Sequence, residues 1–211
     1  MVGAEEIKTK VLPPSWRKAT RNMILATLAM EQALAVAPGA AAAISAFGEG
    51  ALIVGTNSGE LETSADFLTT WSRMKMARPV LFQNSLHNAT AGFAAIRFGL
   101  TGPSLTVSSG ESTPGECLRL ADDLLREGMC RACLVTLVEV HKALADLIEV
   151  EVGEGAVSLL LTDASTAAAR GWTVRAELSE PSWFEPYPRA DDRAPLFDIR
   201  SSEFYRRAAA L

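Results

Sequence analysis

The spacing of apolar residues changes repeatedly along the chain between helical and strand periodicity. In residues 15–37 they recur every three or four positions, which predicts a helix, and residues 51–54 form a short apolar strand before the glycine-bearing turn 55–59. The same criteria predict helices over residues 66–76, 88–98, 114–127 and 164–170, and strands over residues 105–108, 133–138, 156–161 and 172–178. Strands separated by helices favour an α/β layered fold, with the last two strands forming a hairpin-like pair.

The character of the chain changes beyond Glu180. Prolines and paired charges replace the periodic apolar pattern, and six aromatic residues are scattered among them: Trp183, Phe184, Tyr187, Phe197, Phe204 and Tyr205. We therefore expect one domain over residues 1–180, followed by an aromatic-rich tail over residues 181–211 that packs on the domain or on a partner.

Composition and charge argue against several classes of partner. The 211-residue chain is 48% hydrophobic and 21% charged, with a net charge of −5. Because charges of both signs are interspersed without a basic stripe, neither nucleic acid nor an anionic membrane is an expected partner. The longest apolar tract, residues 23–46, is mostly alanine and is interrupted by polar and helix-breaking residues, so it does not predict a membrane span. No N-terminal signal pattern is seen, and a cytoplasmic location is expected.

The three cysteines predict no metal or redox centre. Cys130 and Cys133 have CxxC spacing, but they precede the apolar run 134–138, and there is no second pair to complete a zinc site. We interpret them, with Cys117, as small buried thiols. The sequence predicts no cofactor.

The stretch "TVSSGESTPGECL", residues 106–118, predicts a strand that turns into a helix, with Glu111 at the turn. Residues 113–116 have the form of a capping box, with Pro114 at the first helical position, so the helix is expected to begin near Pro114. The N-terminus of a helix favours a negative group, or a nucleophile that becomes negative. By itself, this position is explained by a carboxylate that supports the helix end.

Two longer segments resemble one known family. "SLHNATAGFAAIRFGLTGPSLTVSSGEST" resembles the segment that leads to the active-site cysteine of β-ketoacyl synthases, the condensing enzymes of the thiolase-like superfamily. "GEGAVSLLLTDASTAAARGWTVRAEL" is similar to the stretch that closes the N-terminal half of those enzymes. The resemblance covers most of residues 15–178. It implies a thiolase-like (ketosynthase) half-fold, a mixed sheet with helices, lacking the C-terminal half.

The departures from this family bear on activity. Glu111 stands where catalytic members have the cysteine that takes the acyl chain as a thioester, and glutamate is a poor acyl acceptor. Cys117 lies about a turn and a half further along the helix, too far to substitute. The family's two active-site histidines lie in its C-terminal half. For His87 and His141 we therefore expect structural or surface roles, with no carboxylate or cysteine placed to complete a site.

The resemblance leaves three functional hypotheses open. The first is a non-catalytic chain-length-factor-like partner of a catalytic β-ketoacyl synthase in type II polyketide biosynthesis, closest to the aryl polyene type, where it helps shape the acyl tunnel. The second is an enzyme, such as a malonyl-thioester decarboxylase or another enzyme acting on acyl carrier protein, that uses Glu111 as a general base. The third is a stand-alone acyl-binding module.

The first hypothesis also implies surfaces. The strand leading to Ser109 would lie at a subunit interface and pair with a partner's sheet edge, and the half-fold would leave apolar surface exposed. Arg17, Arg73, Lys75 and Arg78 are candidates for docking an acidic acyl carrier protein, although exposed cations are commonly just solvated. The candidate tunnel and interface residues are Phe82, His87, Asn88, Phe93, Phe98, Ser108, Ser109, Gly110 and Ser112. For the three phenylalanines, the ordinary explanation is core packing.

Overall fold

The computed structural model describes residues 2–3, 13–46, 48–141 and 153–178. The helices are α1 (Arg21–Ala35), α2 (Ala40–Ile44), α3 (Leu61–Met74), α4 (Pro79–Asn84), α5 (Ala89–Phe98), α6 (Thr113–Arg126) and α7 (Ala164–Arg170). The strands are β1 (Val2–Gly3), β2 (Gly50–Gly55), β3 (Ser104–Val107), β4 (Ala132–Glu139) and β5 (Gly155–Thr162). Short 3-10 turns occupy Pro14–Trp16 and Gly110–Ser112. The predicted tail over residues 181–211 lies outside the described residues.

The five strands form one mixed sheet in the order β1-β5-β4-β2-β3. β2 runs parallel to both β3 and β4, whereas β5 pairs antiparallel with β4 and with β1. Every residue of β2 and of β4 is buried, as expected for strands covered on both faces. β3 is an edge strand, and the loops after β2, β3 and β4 meet at one end of the sheet.

Alternating strand residues supply two cores, one on each face of the sheet. Leu52, Val54 and Leu134 pack into the first core, with residues of α1, α2, α5 and α7. Ile53, Cys133 and Val135 pack into the second, with α6. The predicted α/β architecture with a mixed sheet is confirmed.

Two of the predicted elements need correction. Residues 172–178 were expected to form a strand, but they have no regular secondary structure. The indole nitrogen of Trp172 donates to the carbonyl oxygen of Pro38 at 3.1 Å, so this segment is anchored by a side chain and not by a backbone ladder. The helix predicted over residues 15–37 begins only at Arg21, because Thr20 caps it by accepting a hydrogen bond from the backbone N–H of Met23.

Exposed large apolar side chains are concentrated on α3 and α4. Thr63 is the only buried residue of α3, and α4 has none. By contrast, the outer face of α6 is charged and carries three ion pairs: Arg119 with Glu116, Arg119 with Asp123, and Arg126 with Asp122. The half-fold therefore does expose apolar surface, but on α3 and α4 and not on the helix that covers the second face of the sheet.

Candidate functional site

The turn that carries Glu111 lies between β3 and α6 and is exposed. Ser108, Ser109, Gly110, Glu111 and Ser112 are all exposed, and Gly110 adopts the left-handed φ of 59° that the 3-10 turn requires. α6 then begins at Thr113, next to Pro114, as predicted. Glu111 therefore lies in the 3-10 turn two residues before α6 begins.

The predicted capping box at residues 113–116 is wrong. Ser112 is the N-cap and makes no side-chain capping hydrogen bond. The Thr113 hydroxyl instead accepts from the backbone N–H of Ser109 at 2.8 Å and donates to the side-chain oxygen of Asn57 at 2.6 Å. Thr113 thus connects the turn to the loop after β2 and does not close the helix end.

A buried carboxylate fastens these loops to the sheet. Glu139, the last residue of β4, accepts hydrogen bonds from the backbone N–H groups of Asn57 and Ser58, the latter at 3.1 Å, and from the Ser58 hydroxyl at 2.6 Å. The hydroxyl of Thr56 completes the set at 3.4 Å. Asn57 in turn donates its side-chain amide to the carbonyl oxygen of Gly110 at 3.0 Å. The position of the Glu111 turn is therefore set from the end of β4.

His141 does lie near a carboxylate, which corrects the expectation that it has none. Its Nε2 lies 3.7 Å from Oε2 of Glu139, and both side chains are buried. Neither ring nitrogen has a hydrogen-bond partner among the described residues. Because the Glu139 carboxylate is already occupied by the loop after β2, this pair is a buried support of the loop and is separated from Glu111 by the Asn57 bridge.

A second buried glutamate joins three helices. Glu60, just before α3, accepts hydrogen bonds from the hydroxyls of Thr20 at 2.9 Å, Thr90 at 2.6 Å and Thr63 at 3.1 Å. Burial raises the pKa of Glu60, and the hydroxyl donors and His87 oppose that effect. No local sequence pattern predicts this cluster, because its members come from three separate segments of the chain.

Replacing Glu60 by glutamine is expected to change how stability depends on pH. The folded-state pKa is raised above the unfolded one, so the stability contributed by the protonated form is present below about pH 4.3 and is lost as the pH rises through the folded pKa. In urea denaturation between pH 4 and pH 8, the free energy of unfolding of Glu60→Gln should rise relative to that of the wild type as the pH rises. The expected rise is about 1.4 kcal/mol for each unit of pKa shift. Glu127→Gln, at an exposed position, is the control and should run parallel to the wild type; parallel behaviour of Glu60→Gln would contradict the prediction.

The other predicted site residues lie in different surroundings. The His87 ring packs against Gly59, where an added Cβ would come within 2.2 Å of its Nδ1, and Asn88 is the exposed N-cap of α5. Phe93 meets Trp16 edge to face at 6.0 Å, and Phe93 and Phe98 both pack against the first core. Phe82 is exposed and contacts Phe67 at 5.7 Å between ring centroids. The three phenylalanines do not share one environment.

The chemistry available at the site is limited. Glu111 is an exposed carboxylate, and the hydrogen bonds of the described residues bring neither histidine to it. Burial raises the pKa of the Cys117 thiol to about 12 and that of Cys130 to about 11, and it raises the pKa of Cys133 as well. Such thiols are not nucleophiles at neutral pH.

Metal ligation and membrane spanning are the two other properties that bear on function. No group of three potential ligand side chains in the part of the chain that the structure describes is placed to hold a metal ion. Within residues 13–46, 48–141 and 153–178, no helix combines the length and apolar composition of a membrane span.

The sheet order, the helices on both faces and the turn at the end of β3 define the N-terminal domain of a thiolase-like ketosynthase fold. Residues 9–158 match the family model described as "Beta-ketoacyl synthase, N-terminal domain", and the chain belongs to this family. A comparison with curated proteins found no significant match.

Solved structures with the same fold include three whose names describe a ketosynthase. "The ishigamide ketosynthase/chain length factor" matches with a TM-score of 0.62 and 24% identity, over 72% of this chain and 46% of that one. "Ketosynthase (ApeO) in Complex with its Chain Length Factor (ApeC) from Xenorhabdus doucetiae" matches with a TM-score of 0.57 and 21% identity, over 77% and 74%. "AntDE:AntF (apo): type II PKS acyl-carrier protein in complex with its ketosynthase bound to the hexaketide" matches with a TM-score of 0.65 and 18% identity, over 78% and 53%. The chain thus spans about half the length of two of these relatives.

Proposed function

We propose that this chain is a non-catalytic, chain-length-factor-like partner of a catalytic β-ketoacyl synthase in type II polyketide biosynthesis of the aryl polyene type. The observation that carries the proposal is the exposed carboxylate of Glu111 at the start of α6, where the family resemblance expects a cysteine nucleophile. A carboxylate is electrostatically favoured near the N-terminus of a helix but is a poor acyl acceptor, so chains would load only on the partner. The complex would lie in the cytoplasm and act on substrates carried by an acyl carrier protein.

The need for a partner follows from α3 and α4. A 14-residue helix with one buried side chain gains little from packing, yet helices in proteins are stabilised mostly by an apolar face that packs. Leu68, Trp71 and Met74 follow one another at three-residue spacing on α3 and are 61%, 49% and 66% exposed. Phe82 on α4 adds another exposed ring. We name this set, with the intervening residues, the α3–α4 surface.

The α3–α4 surface continues in the chain towards the sheet edge. Ile96 on α5 and Leu105 on β3 are also exposed, and β3 pairs only with β2 among the described strands. Its outer edge presents backbone N–H and C=O groups that a strand of another subunit can pair with. We propose that the ketosynthase covers the α3–α4 surface and extends the sheet at β3. His87, Asn88 and residues 108–112 would then lie next to the shared tunnel.

The names of the structural relatives support this assignment. Two of the three describe a ketosynthase together with a chain length factor, and the third describes a ketosynthase with its acyl-carrier protein. Since all three are less than 25% identical to this chain, they establish the fold, and the role remains our proposal.

A Glu111→Gln variant separates the proposed role from an enzymatic one. In a reconstituted complex with the ketosynthase encoded nearest to it, we expect the variant to retain wild-type product yield and chain length, because glutamine keeps the size and polarity of the side chain. Alanine at the partner's nucleophilic cysteine should abolish the product and serves as the control. A large loss of malonyl-thioester decarboxylation in Glu111→Gln, with assembly unchanged, would instead make Glu111 a general base.

A further inference from the structure

The charged residues between positions 67 and 110 are all basic, whereas the first half of α3 carries Glu62 and the exposed Asp66. Residues 67–110 contain no aspartate or glutamate, although the whole chain has 25 acidic and 20 basic residues. The same stretch holds Arg73, Lys75, Arg78 and Arg97. A surface that is cationic within an otherwise acidic protein is a feature of binding and not of general solubility.

Three of these cationic side chains form no ion pair within the described residues; we call them the uncommitted cations. Arg97 is already used, since it lies over the Phe98 ring and pairs with Glu31 at 3.4 Å. Arg73, Lys75 and Arg78 are exposed and take part in no ion pair within the described part of the chain.

The uncommitted cations are interleaved with the apolar side chains. Met74 and Met76 alternate with them along the chain, and Trp71 and Val80 lie on either side. Every residue from 71 to 80 is exposed. Lys75 is the C-cap of α3 and adopts the left-handed region, with φ of 53°, a conformation that non-glycine residues seldom adopt. The basic and apolar side chains therefore form one continuous surface.

We propose that Arg73, Lys75 and Arg78 select an acidic ketosynthase surface as the partner and exclude a second copy of this chain. This inference rests on the proposed function. In a two-fold symmetric pair, the α3–α4 surface would face itself and bring its cations against one another. Like charges brought together at an interface disfavour the wrong pair, whereas an acidic partner surface gains both attraction and a faster encounter.

A protein fits this surface better than a lipid bilayer does. Leu105 is exposed on β3, which is an edge strand among the described strands, and its outer backbone groups need hydrogen-bond partners. The apolar part of a bilayer offers no such partners, whereas a strand does. An acyl carrier protein is also acidic, but a transient carrier would leave the large apolar residues exposed for most of the time.

The test uses a charge-reversed variant, Arg73→Glu with Arg78→Glu, and a control, Arg131→Glu with Arg170→Glu. Both variants change the net charge by the same amount, and Arg73 and Arg170 both lie in the last turn of a helix. Binding of the purified ketosynthase is followed by biolayer interferometry at low and at physiological salt. We expect the association rate of the charge-reversed variant to fall roughly tenfold or more at low salt, with a smaller effect at high salt, and that of the control to stay near wild type.

A mixing experiment tests the exclusion of self-pairing without any ketosynthase. Sedimentation velocity should find wild type alone and the variant alone monomeric, and a one-to-one mixture should form a mixed dimer. Absence of the mixed dimer, or a wild-type dimer through this surface, would overturn the exclusion.

The remaining outcomes distinguish the two proposals. If the wild type does not bind the ketosynthase at all, the proposed function fails. The mixing experiment still tests whether the cations prevent self-pairing. An unchanged ketosynthase association rate in the variant overturns the selection, and so does an equal loss in the control. Loss of binding only to acyl carrier protein, or only to vesicles of anionic phospholipid, would assign the surface to that ligand instead.

Discussion

Replacing Glu139 by alanine is expected to lower the free energy of unfolding by about 3 kcal/mol or more. The substitution removes the acceptor for two backbone N–H groups and two hydroxyls in the loop after β2, and it leaves a cavity at the buried end of β4. Urea denaturation monitored by circular dichroism measures the loss. Glu139→Gln keeps the size of the side chain and one acceptor oxygen, so its free energy of unfolding should lie between those of the wild type and Glu139→Ala.

The control is Glu116→Ala on the exposed face of α6. That glutamate pairs only with Arg119, so its removal should cost less than about 1 kcal/mol. If Glu139→Ala were no more destabilising than Glu116→Ala, the loop after β2 would not depend on the buried carboxylate. The Glu111 turn would then be positioned by contacts other than the hydrogen bonds of Glu139.

The second large effect concerns the α3–α4 surface. Trp71→Ala combined with Met74→Ala is expected to weaken binding to the ketosynthase about 100-fold, or about 3 kcal/mol, because large side chains at the centre of an interface carry most of its energy. The stability of the isolated chain should hardly change, since both side chains are exposed in it. Isothermal titration calorimetry with the purified ketosynthase gives the affinity, and thermal unfolding gives the stability.

A matched methionine provides the control for that prediction. Met129 is also exposed, at 56%, but it lies after α6 and away from the α3–α4 surface. Met129→Ala should bind the ketosynthase as the wild type does. Equal binding by all the variants would show that the partner docks elsewhere, and a strongly destabilised double variant would show that α3 packs on the domain.

The strands and the Glu111 turn could be predicted because their signals are local. The apolar runs of β2 and β4 are continuous, and Gly110 and Pro114 mark the turn and the helix start that the structure shows. The strand predicted over residues 172–178 was wrong because the alternation of apolar and polar residues there does not reveal that Trp172 is anchored to Pro38. Local pattern identifies an element but not what it packs against.

The networks behind the turn could not be predicted because they depend on register. Glu139 reaches the loop after β2 only because Gly55 lies opposite Leu137 in the parallel pairing of β2 with β4. Likewise, Glu60 meets Thr20 and Thr90 across 40 and 30 residues of sequence. The predicted capping box failed for the same reason, since the Thr113 hydroxyl is taken by Asn57, which is 56 residues away.

The α3–α4 surface shows a different limit of sequence reasoning. A helix was predicted over residues 66–76, and the structure has one over Leu61–Met74. Its apolar stripe is exposed in the isolated chain, and a sequence pattern does not distinguish a stripe that packs internally from one that meets another subunit.

The most direct test of the proposed role is the absolute mass of the protein, measured by light scattering on a sizing column. The chain is expressed alone and then together with the ketosynthase encoded nearest to it. We expect a monomer in the first case and a stoichiometric complex in the second. A well-behaved monomer that elutes apart from the ketosynthase would contradict the account and leave ligand binding by the half-fold itself as the function to pursue.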